Sequence, residues 1–522
     1  MRVWRVMGVL GVTAGLLLSG LSGTASAAPA QADDARCAPN AKTPLRQFRA
    51  SWVASVVNID WPSRTGLSAA QQQAELIGWL DDAVRQRHNA VILQVRPTAD
   101  AFWPSKVEPW SQYLTGRQGG NPGYDPLAFA VAEAHKRNLE LHAWFNPYRL
   151  SMGTDINTLV PEHPARQHPD WVVTYGGKLY YNPGIPAARK LVEDAIMDAV
   201  SNYDIDGVHF DDYFYPYPVA GQVFDDAATY AEYGAGFSTL ADWRRNNIDL
   251  LIQELGDRIK AAKPWVKFGI SPFAVWRNKA TDPEGSDTTA GVQTYDDLAA
   301  DTRKWVREEW IDYIVPQVYW AGGFAAADYN KIVPWWADQV RGTDVHLYIG
   351  EATYKVGTST QSPDWMDPVE LSDHLAFDST IPEVKGNIYF SAKDVRADRL
   401  GATTLVNNTW YTRPALIPAM PSLDSRAPLP VHAVRATRTD DGVELAWRRT
   451  SSDTTSYAVY RRELTAGDHC PDNDARNLIA TIRSTESYLD TTAVPGKAYI
   501  YTVTALDRLS NQSVAIPAVI LR

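Results

Sequence analysis

A chain of 522 residues is too long for one small domain and calls for two or three units, or one large barrel with an accessory module. Its formal net charge of −11 excludes a nucleic-acid backbone as partner, because that partner needs a basic surface. The aromatic load is high, with 19 Trp and 25 Tyr, which fits core filling and equally a surface that stacks on the C–H faces of sugar rings.

The N-terminus reads as a secretion signal over residues 1–27. Arg2 and Arg5 supply the positive start, Val6 to Leu21 is apolar, and Ala25-Ser26-Ala27 gives the small-x-small cleavage pattern. Residues 28–47 read as a disordered leader. No other uncharged run of about 18 residues is present, so no membrane span is expected, and the chain is expected outside the cell or on its wall. The two cysteines, Cys37 and Cys470, then lie in an oxidising compartment, either paired or as free thiols.

From residue 48 to 411, apolar runs alternate with helix-like segments. "ASWVASVVNIDW" is strand one. The helix Ser68 to His88 follows, with a capping box from Ser68 and Gln71. "AVILQVRP" is strand two, and Asp125-Pro126 opens the next helix with proline at its first position. "LELHAWFNPYR" is strand three. A helix to Tyr203 leads to strand four, "IDGVHF". A helix from Ser238 to Lys263 leads to strand five, "VKFGISPF". "TYDDLAADTRKWVREEW" reads as one helix before strand six, "IDYIVPQVYW". "YNKIVPWWADQVR" precedes strand seven, "VHLYIGEATY", and "DPVELSDHLAFDS" precedes strand eight, "KGNIYFS". Eight apolar strands separated by amphipathic helices predict an α/β fold, a (β/α)8 TIM barrel.

The Pro-rich segment 412–430 reads as a linker. Beyond it, residues 431–522 alternate with period two and are broken by turn residues, as in a small all-β fibronectin type III sandwich with Trp447, Tyr499, Tyr501, Val503 and Ala505 in its core.

The strands end in polar and aromatic sets that a TIM barrel gathers at its C-terminal mouth, where active sites sit. These are Asp60 and Trp61; Gln94 and Arg96, with Asp100 beyond; His142, Asn146 and Arg149; Asp211, Asp212 and Tyr213; Ser271, with Trp276 beyond; Gln317, Tyr319 and Trp320; and Glu351. Strand alternation sends Asp211 and Asp212 to opposite faces, so one carboxylate is expected in the cleft and the other on a neighbouring side chain. A fixed carboxylate suits glycosidic cleavage, where positive charge builds at the anomeric carbon and a second, protonated carboxyl assists the leaving oxygen. The second group is open among Asp60, Asp100, Glu108 and Glu351, with Glu351 favoured by position and Asp100 the next candidate. His142, Asn146 and Arg149 would grip hydroxyl, acetamido or carboxylate groups, and Trp61, Trp276, Tyr319 and Trp320 would line sugar subsites. No HxH or HExxH spacing supports a metal-dependent deacetylase built from His142, His209 and Asp211, and no GxSxG elbow is present, so no cofactor is expected.

Several long motifs carry a resemblance: "QVRPTADAFWPSKVEPWSQYLTG", "NPGYDPLAFAVAEAHKRNLELHAWFNPYR", "DGVHFDDYFYP", "GISPFAVWRN", "DYIVPQVYW" and "LYIGEATYKVG". In this order they resemble the glycosyl-hydrolase-like family ten of bacterial envelope proteins, across nearly the whole barrel. The resemblance implies a TIM barrel and a glycosidase cutting peptidoglycan glycan strands that lack stem peptides. It also implies roles for Asp206, Asp211, Asp212, Tyr213, His142, Asn146, Arg149, Gln317, Tyr319 and Trp320. The strand-four motif is similar to the DGxDxDxE of chitinase-type enzymes, but its last acidic position is Tyr213, which argues against acetamido-assisted catalysis by that route. The expectation is therefore an exported, metal-independent glycosidase whose partner is a cell-wall polysaccharide. A non-catalytic glycan-binding scaffold and a deacetylase are the alternatives.

Overall fold

The computed structural model describes residues 40, 42–464, 473–516 and 519–521, the last three as backbone only. The signal-like segment, the leader up to residue 39, and both Cys37 and Cys470 lie outside the described residues.

Eight parallel strands close into a barrel in chain order: β1 (Phe48–Val53), β2 (Ala90–Arg96), β3 (Glu140–Phe145), β4 (Gly207–Phe210), β5 (Lys267–Ile270), β6 (Tyr313–Ile314), β7 (His346–Glu351) and β8 (Val384–Tyr389). Each coincides with a strand expected from the sequence, but β6 is cut to two residues. Pro316 lacks the N–H a longer ladder needs, and only isolated bridges through Gln317 continue the pairing. The segment Thr294 to Trp310 forms two short helices, Thr294–Asp297 and Thr302–Arg307, instead of one. Ala299 at φ +50° breaks the run, and the Asp301 side chain caps the second piece by accepting from the Lys304 N–H.

Two apolar clusters show how the pleat is used. One lies between strands and helices and includes Leu93, Leu141, Phe145, Val208, Phe210 and Ile349. The other fills the barrel with the alternate positions, among them Phe48, Trp52, Ile92, Trp144, Tyr313, Tyr348 and Ile388. Two glycines make room inside. A Cβ on Gly207 would lie 2.6 Å from the His142 ring, and one on Gly269 would lie 2.1 Å from the Tyr313 ring. A polar column fills the axis. Lys267 pairs with Glu140 at 2.5 Å, Glu140 holds His142 at 2.9 Å, and Tyr313 Oη sits 2.8 Å from His142 and 3.0 Å from His209. At its upper end, the Trp52 indole donates to His209 Nε2 at 3.1 Å.

At the opposite end from the mouth, the Pro-rich segment is packed: Leu416 and Met420 are buried, and Leu416 exchanges backbone hydrogen bonds with Leu45 and Gln47. The C-terminal sandwich has one three-stranded and one four-stranded antiparallel sheet, with Trp447, Tyr501, Val503 and Ala505 buried between them. Its Arg508 donates to Asp206 Oδ1 at 3.2 Å and to the carbonyls of Asp204 and Ile205, at the N-terminal end of β4. Among the described residues, no helix is long and apolar enough to cross a membrane.

Candidate active site

The mouth of the barrel opens on a cleft of about 320 Å³ lined by Trp52, Gln94, Trp144, Arg149, Asp211, Asp212, Tyr213, Ser271, Gln317, Tyr319 and Phe390, among others. Both aspartates line it, against the expectation of opposite faces. Asp211 continues the inward parity of Gly207 and His209. β4 stops at Phe210, so alternation no longer governs Asp212 and the turning chain returns it to the same cleft.

Asp211 is held on both oxygens. Trp144 Nε1 donates to Oδ2 at 3.0 Å, Asn146 Nδ2 donates to Oδ2 at 3.0 Å and Oδ1 at 3.1 Å, and the Tyr213 N–H donates to Oδ1 at 3.1 Å. Asp212 accepts from Gln317 Nε2 at 3.1 Å on Oδ1 and from the Tyr217 hydroxyl on Oδ2. Burial pushes the Asp211 carboxyl up to about 6, and the neighbouring Asp212 charge adds to this, against Arg149 and the Asn146 donor. Burial also raises Asp212, opposed by the Tyr217 and Gln317 donors. The two titrate as a pair that retains a proton at mildly acidic pH. The Arg149 guanidinium bonds the Pro97 carbonyl and lies 5.2 Å from the Tyr213 ring centroid. Asn146 turns its other end to the Arg149 N–H at 3.0 Å, so one amide fixes both Asp211 and the start of the rim.

Arg149, Asp211, Asp212, Tyr213, Gln317 and Tyr319, singled out in the sequence, are thus brought to one cleft, with Asn146 directly behind Asp211. Other expected site residues lie elsewhere. Glu351 points outward, as the parity of Leu347 and Ile349 dictates, and accepts from Tyr329 at 2.9 Å, Asn387 at 3.0 Å and His374 at 2.8 Å. Asp60 bridges Ala54 N (2.8 Å) to Ser391 Oγ (2.7 Å) and joins the chain after β1 to the chain after β8. Trp61 is buried and donates to the Gln72 carbonyl.

Arg96 leaves the inner face because an irregularity between Gln94 and Arg96 sets it beside Phe145, whose side chain faces the helices; it pairs with Glu108 at 2.5 Å. That pairing also consumes Glu108. Asp100 is buried beside the Thr98 N–H, raised to about 7 by burial, and outside the cleft. His142 sits below the mouth between Glu140 and Tyr313. Trp276 donates to Asp301 at 2.9 Å and stacks on Trp335. Trp320 is buried edge-on to Phe273. Asp206, at the far end of β4, holds His135 at 2.7 Å and the Leu141 N–H at 2.9 Å.

Trp52, Trp144 and Phe390 line the cleft without having been singled out as site residues, although strand parity carried the signal. Trp144 lies midway between His142 and Asn146 on one strand face, and Phe390 continues the parity of Ile388. Tyr217 lies in an irregular segment and left no periodic signal.

A closed parallel barrel whose mouth carries two raised carboxyls within an aromatic wall is suited to the chemistry of a carbohydrate-active hydrolase. The glycosyl hydrolase-like 10 family profile matches residues 47–367, and the chain belongs to that family. It is 50% identical over 480 residues to glycosyl hydrolase YngK of Bacillus subtilis (strain 168), covering 90% of this chain and 92% of that one. It is 44% identical over 364 residues to glycosyl hydrolase DigH of Escherichia coli (strain K12), covering 66% of this chain and 82% of that one. The protein is a glycosidase whose barrel is followed by a small antiparallel β-sandwich.

Proposed function

We propose that the protein is exported and cleaves a cell-envelope polysaccharide, peptidoglycan glycan strands, with Asp211 and Asp212 as its catalytic carboxyls. The observation that carries this reading is the position of the two acids. They are the carboxyls lining the described cleft, both are raised, and both are held by neutral donors that leave their charge uncancelled. Trp52, Tyr319 and Phe390 supply flat surfaces for pyranose rings. Arg149 sets a cation at the same rim, suited to a sugar that carries a carboxylate, as the lactyl-bearing sugar of peptidoglycan does. An N-terminus that reads as a secretion signal supports a substrate outside the cell. The test is incubation with purified, peptide-free glycan strands. New reducing ends that appear with wild type and disappear in Asp212→Asn support the reading. Strands that bind without cleavage remove it.

A further inference from the structure

From the geometry of this cleft we infer that the anomeric carbon is attacked by the substrate's own 2-acetamido oxygen, not by a protein carboxylate, so the enzyme is confined to 2-acetamido sugars and retains configuration. The inference rests on the assignment of Asp211 and Asp212 as catalytic carboxyls.

A glycosidase that uses two protein carboxyls needs them on opposite faces of the scissile sugar, one as acid and one as nucleophile or base. Here both follow β4 and share one wall. In a closed eight-stranded barrel, the strand opposite β4 is β8, with β1 beside it. Those strands present Phe390 and Trp52, and Tyr319 lies 6.3 Å from Phe390 between ring centroids. Among the described lining residues, no carboxylate stands across the cleft from Asp211 and Asp212. Of the other sequence candidates, Glu351 is spent on Tyr329, Asn387 and His374, Asp60 on Ala54 and Ser391, and Glu108 on Arg96, while Asp100 is buried outside the cleft lining. The missing nucleophile must come with the substrate, and the acetamido group at C2 is a nucleophile already tethered to the reacting ring.

The two aspartates then divide the work by their hydrogen bonds. Asp212 accepts one donor on each oxygen, which leaves lone pairs free to carry and release a proton. Asp211 is clamped by Trp144, Asn146 and the Tyr213 N–H, donors that favour its anion against the burial that raises it, and on this division the proton that the pair retains sits on Asp212. In the first step the Asp212 carboxyl protonates the glycosidic oxygen, and the C1–O bond breaks with its electron pair on the leaving oxygen. The acetamido oxygen bonds to C1 and the amide N–H gives its proton to the Asp211 carboxylate, forming a neutral oxazoline. In the second step the Asp212 carboxylate takes a proton from water. The water oxygen bonds to C1, the C1–oxazoline bond breaks, and the amide nitrogen recovers its proton from Asp211. One water is consumed and both aspartates return to their starting states. Gln94 adds a supporting feature: it lines the cleft, is fully buried, and its Nε2 has no hydrogen-bond partner, so it offers a donor to an acyl oxygen. Tyr213 occupies the acidic position of the chitinase-type motif, yet Asp212, one residue earlier, brings its carboxyl to the cleft.

The test uses the whole enzyme on peptide-free glycan strands. Early products are read by proton NMR for anomeric configuration, strands re-acylated with mono-, di- and trifluoroacetyl groups are compared for rate, and a thiazoline analogue of a 2-acetamido sugar is assayed as inhibitor. The inference expects retention, a rate that falls steeply with each added fluorine, and competitive inhibition. Inversion, rates indifferent to fluorination, or cleavage of a glycan that has no acetamido group would overturn it while leaving the glycosidase reading intact. An absence of cleavage on strands that demonstrably bind would instead remove the functional reading beneath it.

Discussion

The indole N–H of Trp144 lies 3.0 Å from Oδ2 of Asp211, and this contact joins the last inward residue of β3 to the first residue beyond β4. It fixes a carboxylate whose charge no cation within the cleft cancels by contact. Asp211→Asn and Asp212→Asn should each lower kcat by roughly 10²–10⁴-fold, the usual contribution of a positioned acid or base. Glu351→Gln should leave kcat within a few-fold and cost about 1–3 kcal/mol of stability, because it disturbs a buried structural network. Steady-state kinetics beside urea melts separate the two behaviours. A Glu351 variant that is as dead as Asp212→Asn while fully folded would move the chemistry out of this cleft.

Activity should fall as pH rises above the ordinary carboxyl range. Burial raises both Asp211 and Asp212, so the proton they share is lost at higher pH than from a free carboxyl, and kcat/KM then drops about tenfold per unit on the alkaline side. Tyr217 donates to Asp212 and favours its anion, so removing the hydroxyl makes the proton harder to lose. Tyr217→Phe is expected to move the alkaline limb to higher pH while the enzyme stays folded. A limb that does not move in pH–rate profiles would place the titrating proton on another group.

Stability should also decline from neutral to alkaline pH, for a reason remote from the cleft. Burial opposes the charge on His374, but Glu351 and Glu370 outweigh it and raise the imidazole to about 9. A group raised from about 6.5 in the unfolded chain stabilises fully below about 6.5, and that contribution is lost as pH climbs through about 9. The contribution is of order 3 kcal/mol. Asp378, raised to about 7 by burial and by Glu351, acts with the same sign over lower pH. His374→Gln should flatten the dependence of the urea midpoint between pH 6.5 and 9. An unchanged slope would assign it to other groups.

The C-terminal sandwich should support the barrel without touching the chemistry. Arg508 reaches Asp206 and two carbonyls at the end of β4 opposite the cleft. Arg508→Ala should cost about 1–3 kcal/mol in a chemical melt, the value of hydrogen bonds to a charged partner. At temperatures where the variant is folded, kcat/KM should match wild type. A selective loss of activity would require coupling along the barrel axis.

The identity of the eight strands, their order and the sandwich that follows are local properties, and the sequence determined them: apolar runs, caps such as Ser68 and Asp125, and period-two alternation are each written within a few residues. The family motifs and the acids at the end of β4 were legible in the same way. Position relative to a strand end was not enough to choose among Asp60, Asp100, Arg96, Glu351 and the two aspartates. A one-residue irregularity before Arg96 and the outward parity of Glu351 turn side chains away from the cleft, and the early end of β4 turns Asp212 into it. Those outcomes depend on where the hydrogen-bond ladder stops and on which neighbour satisfies each buried charge. Only the closed tertiary structure decides these, because a buried carboxylate takes the partners that the other strands bring to it.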